Sequence, residues 1–76
     1  MISEQFNGAY VRHLREERGL SRNALSYDLR VTTRRIAQWE LNDSPPSVPM
    51  LARISNYFGV PVESFFKEND REHARA

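Results

Sequence analysis

The chain has no cysteine, which removes disulfides and thiolate metal centres as sources of stability or chemistry. Its two histidines, His13 and His73, stand sixty positions apart without ligand-like neighbours, so no zinc or other metal site is expected. Apolar residues run together for only two or three positions, whereas a membrane-spanning helix needs about 20. The N-terminus lacks a basic leader followed by an apolar block, so a secretory signal is not expected and the cytoplasm is the expected location. Strand-like alternation, internal repeats and low-complexity linkers are also missing. No nucleophile, base and orienting group occur in a plausible arrangement, which argues against an enzyme, and nothing suggests a cofactor or small-molecule ligand. What remains is 76 residues, enough for one small domain near the lower limit of self-sufficient cores.

Net charge is only +1, but the charge is unevenly placed. Between Arg12 and Arg35 lie seven arginines and three carboxylates, a local excess of four positive charges. The rest of the chain holds four basic and seven acidic groups, a deficit of three. Segregation of this kind suits a protein with one face toward phosphate and another toward water or a partner.

Apolar spacing and capping residues predict an all-α fold of five helices. Phe6, Tyr10, Val11 and Leu14 recur at helical spacing, giving a first helix over roughly residues 5–18 that stops at Gly19. Ser21 caps a second helix with Leu25 and Leu29 on its inner side. Val31 fills a tight turn, and Thr32 caps a third helix in which Ile36, Trp39 and Glu40 share a face. The run Asn42-Asp43-Ser44-Pro45-Pro46 makes a loop. Ser47 caps a fourth helix, with Pro49 tolerated in its first turn and Met50, Leu51, Ile54 and Phe58 as its buried stripe, ending at Gly59. Pro61 opens a short fifth helix carrying Val62, Phe65 and Phe66. Residues 1–66 make the domain, and 67–76 form a polar tail.

The third helix carries the most distinctive chemistry. With Ile36 at zero and about 100° per residue, Trp39 falls near −60° and Glu40 near +40°, on the core side. Arg34 and Gln38 fall near 160° and 200°, directly outward, and Thr33 in the first turn can also reach outward. Arginine can give two hydrogen bonds to guanine and glutamine can pair twice with adenine, each worth about 1–3 kcal/mol of discrimination. Thr33, Arg34 and Gln38 are therefore the candidate base-reading residues. The competing reading is the solvated face of an ordinary surface helix. Arg22, beside the cap of the second helix, is a candidate phosphate contact because helix N-termini favour anions. Thr32, Asn42 and Ser44 at the ends of the third helix join it as phosphate candidates. Arg35 projects sideways, where it can serve phosphate, base or solvent, and is grouped with them. Arg15 on the first helix and core-facing Glu40 form a candidate structural ion pair.

The segments VRHLREERGLS, ALSYDLRVTTRRIAQWE and PSVPMLARISNYFGVPVESFF together resemble the helix-turn-helix family of phage Cro and CI repressors, the XRE family, across positions 11–66. The resemblance implies a compact five-helix bundle of the lambda-repressor-like type, with helices two and three as the DNA-binding unit. By position it puts base contacts on Thr33, Arg34 and Gln38, a phosphate contact on Arg22 and the helix-linking pair on Arg15 and Glu40. It also implies a homodimer on a near-palindromic operator, often acting as a repressor, and assembled through the C-terminal region; here that region offers Tyr57, Val62, Phe65 and Phe66. Arg30 departs from the family pattern, standing where the turn favours glycine, at a cost on the order of 1 kcal/mol. Ser26 stands where a small apolar residue is usual, so its hydroxyl needs a backbone acceptor. Asn42 replaces a frequent glycine, and Leu41 projects outward where polar residues are usual. The expected function is a sequence-specific, double-stranded DNA-binding transcriptional regulator. The alternative is a protein-interaction module on the same scaffold, such as an antitoxin or a regulator's partner-binding domain.

Overall fold

The computed structural model describes residues 5–67. Among these the chain forms four α-helices, α1 (Gly8–Glu17), α2 (Arg22–Leu29), α3 (Thr33–Glu40) and α4 (Val48–Phe58), followed by a 3₁₀ turn at Val62–Phe66. Local chemistry sets most of the boundaries. Ser21, Thr32 and Ser47 are extended, and each hydroxyl accepts a hydrogen bond from the backbone N–H three residues on: Ala24 at 3.0 Å, Arg35 at 3.1 Å and Met50 at 3.3 Å. These bonds satisfy donors that no helical turn can reach. The chain leaves α4 through Gly59, whose φ of 69° is available to glycine at no steric cost.

Ten apolar side chains form the core: Phe6, Val11, Leu25, Leu29, Ile36, Trp39, Leu51, Ile54, Phe58 and Phe65. They come from every element, so α3 is held from both sides. It packs against α1 and α2, and Ile36 and Trp39 are essentially inaccessible to water. An eight-residue helix is marginal alone and persists because its apolar face is clamped. No described helix is long and apolar enough to cross a membrane.

Three expectations need correction. The first helix begins at Gly8 rather than near residue 5. Asn7 is extended as its N-cap, and its backbone N–H donates to the Phe65 carbonyl at 2.7 Å. Phe6 precedes the helix yet is buried, stacked on Phe65 with ring centroids 6.0 Å apart. The fifth helix is a 3₁₀ turn: five residues between Pro61 and an extended Lys67 are too few to repay α-helical nucleation. Finally, Phe65 is 0% exposed and belongs wholly to the core, so it offers nothing to a dimer surface. Tyr57 and Phe66 pack partly against that core, and of the four C-terminal candidates only Val62 is truly exposed. Nearly all of the proposed polar tail, residues 68–76, lies outside the described residues.

Candidate nucleic-acid interface

The turn joining α2 to α3 consists of Arg30, Val31 and Thr32. Arg30 adopts the left-handed conformation (φ 58°, ψ 45°), and its N–H and that of Val31 return to the carbonyls at the end of α2. Val31 packs against the core, and Thr32 caps α3 at once, so the two helices meet without slack. Ser26, at their crossing, donates its hydroxyl to the Asn23 carbonyl at 2.7 Å. The acceptor its sequence context required is therefore inside its own helix.

The far end of α3 is fixed by α1. The N–H of Gly8 donates to Oδ1 of Asn42 at 2.8 Å, supplying one of the partners that the start of α1 lacks. Asn42 itself is left-handed, with φ of 59°, which asparagine tolerates better than most residues. A Cβ at Gly8 would lie 1.9 Å from the Trp39 carbonyl oxygen. Only glycine lets the two backbones come this close. Asn42, expected at phosphate, thus commits its carbonyl oxygen to this joint.

Glu40 is the electrostatic centre of the helix pair. Its side chain is 0% exposed and receives Arg15 bidentately, Nε to Oε2 at 2.7 Å and Nη2 to Oε1 at 3.1 Å. Arg15 Nη1 also donates to the Leu20 carbonyl at 2.8 Å. The hydrogen bond to Glu40 outweighs desolvation and raises the Arg15 pKa above its ordinary value, so this guanidinium stays charged. A third member was not anticipated: Arg22 Nε donates to Glu40 Oε1 at 3.1 Å. Arg22 remains 36% exposed at the start of α2, with neither amino group bonded within the described residues. One carboxylate therefore orients two guanidinium groups and leaves a net positive charge where the α2 N–H groups emerge.

Other arginines of the basic segment have structural partners. Arg12 pairs with Glu16 along α1 at 3.1 Å. Arg18 donates to the Tyr57 and Phe58 carbonyls at 3.2 Å, capping the end of α4. Outside that segment, Arg53 donates to the Leu29 carbonyl at 2.5 Å, capping α2. These caps join residues 24 to 40 positions apart, beyond the reach of local pattern. Arg12 and Glu16 stand at the four-residue spacing that lets side chains meet along a helix.

Arg30, Arg34 and Arg35 are exposed, and their guanidinium groups have no hydrogen-bonding or ionic partner among the described residues. All three sit at or just after the turn, around the start of α3. Thr33 and Gln38 are half-buried, whereas Thr32, Asn42 and Ser44 are exposed. Leu41, just past α3, is 60% exposed. The outer side of α3 is thus cationic at its start, polar along its length and apolar at its end, with Ile36 and Trp39 turned away.

Two capped helices joined by a three-residue turn, the second braced on its inner side and polar on its outer, define a helix-turn-helix unit. A family model described as a helix-turn-helix domain matches residues 8–71. The chain belongs to that family, in its Cro/CI or XRE branch. It is 35% identical over 68 residues to the HTH-type transcriptional regulator PrpR of Mycobacterium tuberculosis, covering 90% of this chain and 14% of that protein. It is 36% identical over 69 residues to the HTH-type transcriptional regulator RamB of the same organism, covering 91% and 15%. The chain therefore spans about one seventh of the length of these curated relatives. The crystal structure of a transcriptional regulator from Listeria innocua superposes with a TM-score of 0.72 at 23% identity, over 93% of this chain and 72% of that one. That likeness concerns the fold.

Proposed function

We propose that this chain is a sequence-specific, double-stranded DNA-binding module of a transcriptional regulator, working in the cytoplasm, with α3 entering the major groove. Thr33, Arg34 and Gln38 read base edges, while Arg22, Thr32, Arg35, Asn42 and Ser44 hold phosphates. The supporting observation is the cluster of exposed, unpartnered guanidinium groups at the start of a helix whose other face is locked in the core. A positive group without an internal partner is costless only where water or an external anion can take its place. On DNA, N-terminal residues of such a helix meet base edges and the preceding helix crosses the backbone, where Arg22 stands. The matches to PrpR and RamB, over 68 and 69 residues of this chain, support the reading.

The module acts as a homodimer on a near-palindromic operator and represses transcription. With Phe65 assigned to the core, the dimer contact is left to Tyr57, Val62 and Phe66. Half-sites then repeat one helical turn apart, roughly 34–36 Å. Selection from random duplexes at two salt concentrations tests the function. An enriched, two-fold symmetric motif supports it, and enrichment of no sequence over bulk DNA refutes it.

The alternative, a partner-binding module such as an antitoxin, draws on exposed Leu41 and Val48, 60% and 82% accessible, at either end of a proline-containing loop. It predicts that Leu41→Asn together with Val48→Asn leaves duplex affinity intact while abolishing capture of a protein partner.

A further inference from the structure

We infer that Arg30 is a phosphate anchor retained at the turn despite backbone strain, a contact that deepens the DNA-binding reading above and rests on it. The residue combines two features that are separately uncommon. Its backbone is left-handed at φ 58°, a conformation that L side chains other than asparagine and aspartate seldom adopt. Backbone bonds from the Arg30 and Val31 N–H groups close the turn, but the Arg30 side chain is exposed and makes no hydrogen bond or ion pair within the described residues, so the guanidinium itself adds nothing to the turn. Strained positions concentrate where ligands bind.

Position then selects the ligand. Arg30 lies three residues before Thr33, the first residue of α3, and four and five residues before Arg34 and Arg35. When the start of α3 enters a groove, the turn just ahead of it lies at the groove wall, where the sugar-phosphate backbone runs. The carboxylate nearest in sequence, Asp28, is already engaged, accepting from the Tyr57 hydroxyl at 2.5 Å. From Leu29 to Trp39 the chain carries three positive groups and no acidic one. An arginine outside the groove carries no base information, so its contribution is the same on every duplex.

Strain and contact call for opposite effects from one substitution. Arg30→Gly relieves the backbone and removes the guanidinium, whereas Arg30→Ala keeps the strain and removes the guanidinium. Arg30→Lys keeps both strain and charge. The experiment titrates the wild type and these three variants with the selected duplex and a scrambled one between 50 and 200 mM salt, and records each melting temperature. The expected result is that Arg30→Gly melts higher by a few degrees while both Arg30→Gly and Arg30→Ala bind the two duplexes more weakly by the same factor. Each should also show a salt slope shallower by about 0.9, so its affinity falls about 3.5-fold less than the wild type's across that range. Arg30→Lys should keep the wild-type slope. Unchanged slopes for Arg30→Ala and Arg30→Gly, with the wild type binding normally, would overturn the anchor alone. Weakening by Arg30→Gly but not Arg30→Ala would assign the effect to turn geometry and overturn it too. Failure of the wild type to bind either duplex would overturn the DNA-binding reading itself.

Discussion

Replacing Glu40 tests how the helix pair is held. Its carboxylate, 0% exposed, neutralises Arg15, whose side chain is only 10% exposed, and also touches Arg22, which is 36% exposed. When Glu40 is truncated to alanine, Arg22 can return to water, but Arg15 keeps a buried charge with only the Leu20 carbonyl as partner. Orphaning one member of a buried ion pair costs about 3–5 kcal/mol. A domain of 76 residues has roughly 4–11 kcal/mol in all, so Glu40→Ala should lose at least about a quarter of its stability. Glu40→Gln retains one acceptor and should lose about 1.5–3 kcal/mol, the value of a charged hydrogen bond. Urea unfolding at neutral pH reads both losses as a lower midpoint at an unchanged slope. The decisive arm is the double variant Arg15→Met/Glu40→Leu, which leaves no buried charge and should recover most of the stability lost by Glu40→Ala. If the losses of Arg15→Met and Glu40→Leu, each measured alone, simply add in the double variant, the cost lies in packing rather than in an orphaned charge.

Gly8→Ala should destabilise the fold by about 1–3 kcal/mol, because the new Cβ would sit 1.9 Å from a backbone carbonyl and overpacking exceeds the helix-propensity gain of up to about 1 kcal/mol. A raised urea midpoint would show that the α1–α3 joint yields easily. Tyr57 has its pKa raised above the ordinary phenol value, chiefly by its hydrogen bond to Asp28. A raised pKa means the contact contributes fully below the unfolded value of about 10 and is lost as pH climbs through the folded one. Ultraviolet titration should therefore show a late tyrosinate step that Tyr57→Phe removes; an unaltered titration curve would contradict the contact. Arg22→Ala should weaken binding to selected and scrambled duplexes alike and lower the salt slope by about 1. Because Arg22 is partly exposed, its urea midpoint should move little. A loss confined to the selected duplex would make Arg22 a reader of bases.

What could be read from the sequence follows the range of the interactions involved. Ser21, Thr32 and Ser47 announce their helices because a cap acts across three residues. Arg30 announces a strained turn because the end of α2 must reverse within two residues of the Thr32 cap. The helical wheel turns Ile36, Trp39 and Glu40 inward because α3 has one apolar face to bury. The start of α1 is not legible because Phe6 keeps helical spacing while docking on Phe65 from ahead of the helix. The apolar spacing of Val62, Phe65 and Phe66 suits an α-helix or a 3₁₀ turn equally, and only the room between Pro61 and Lys67 decides. Gly8 and Asn42 meet across 34 residues, and Arg18 reaches Phe58 across 40, distances at which no periodicity survives. The same limit hid the engagement of Arg22 with Glu40, 18 residues away, behind the more obvious phosphate role.

The central claim is that the outward edge of α3 discriminates among bases. Fluorescence titration of wild type and Arg34→Ala against the selected duplex, its single-base variants and a scrambled duplex tests it most directly. Arg34→Ala should lose about 1–3 kcal/mol on the selected duplex, become indifferent to the base at one position per half-site and bind the scrambled duplex nearly as the wild type does. Equal losses on selected and scrambled DNA would contradict it and reduce Arg34 to one more positive charge.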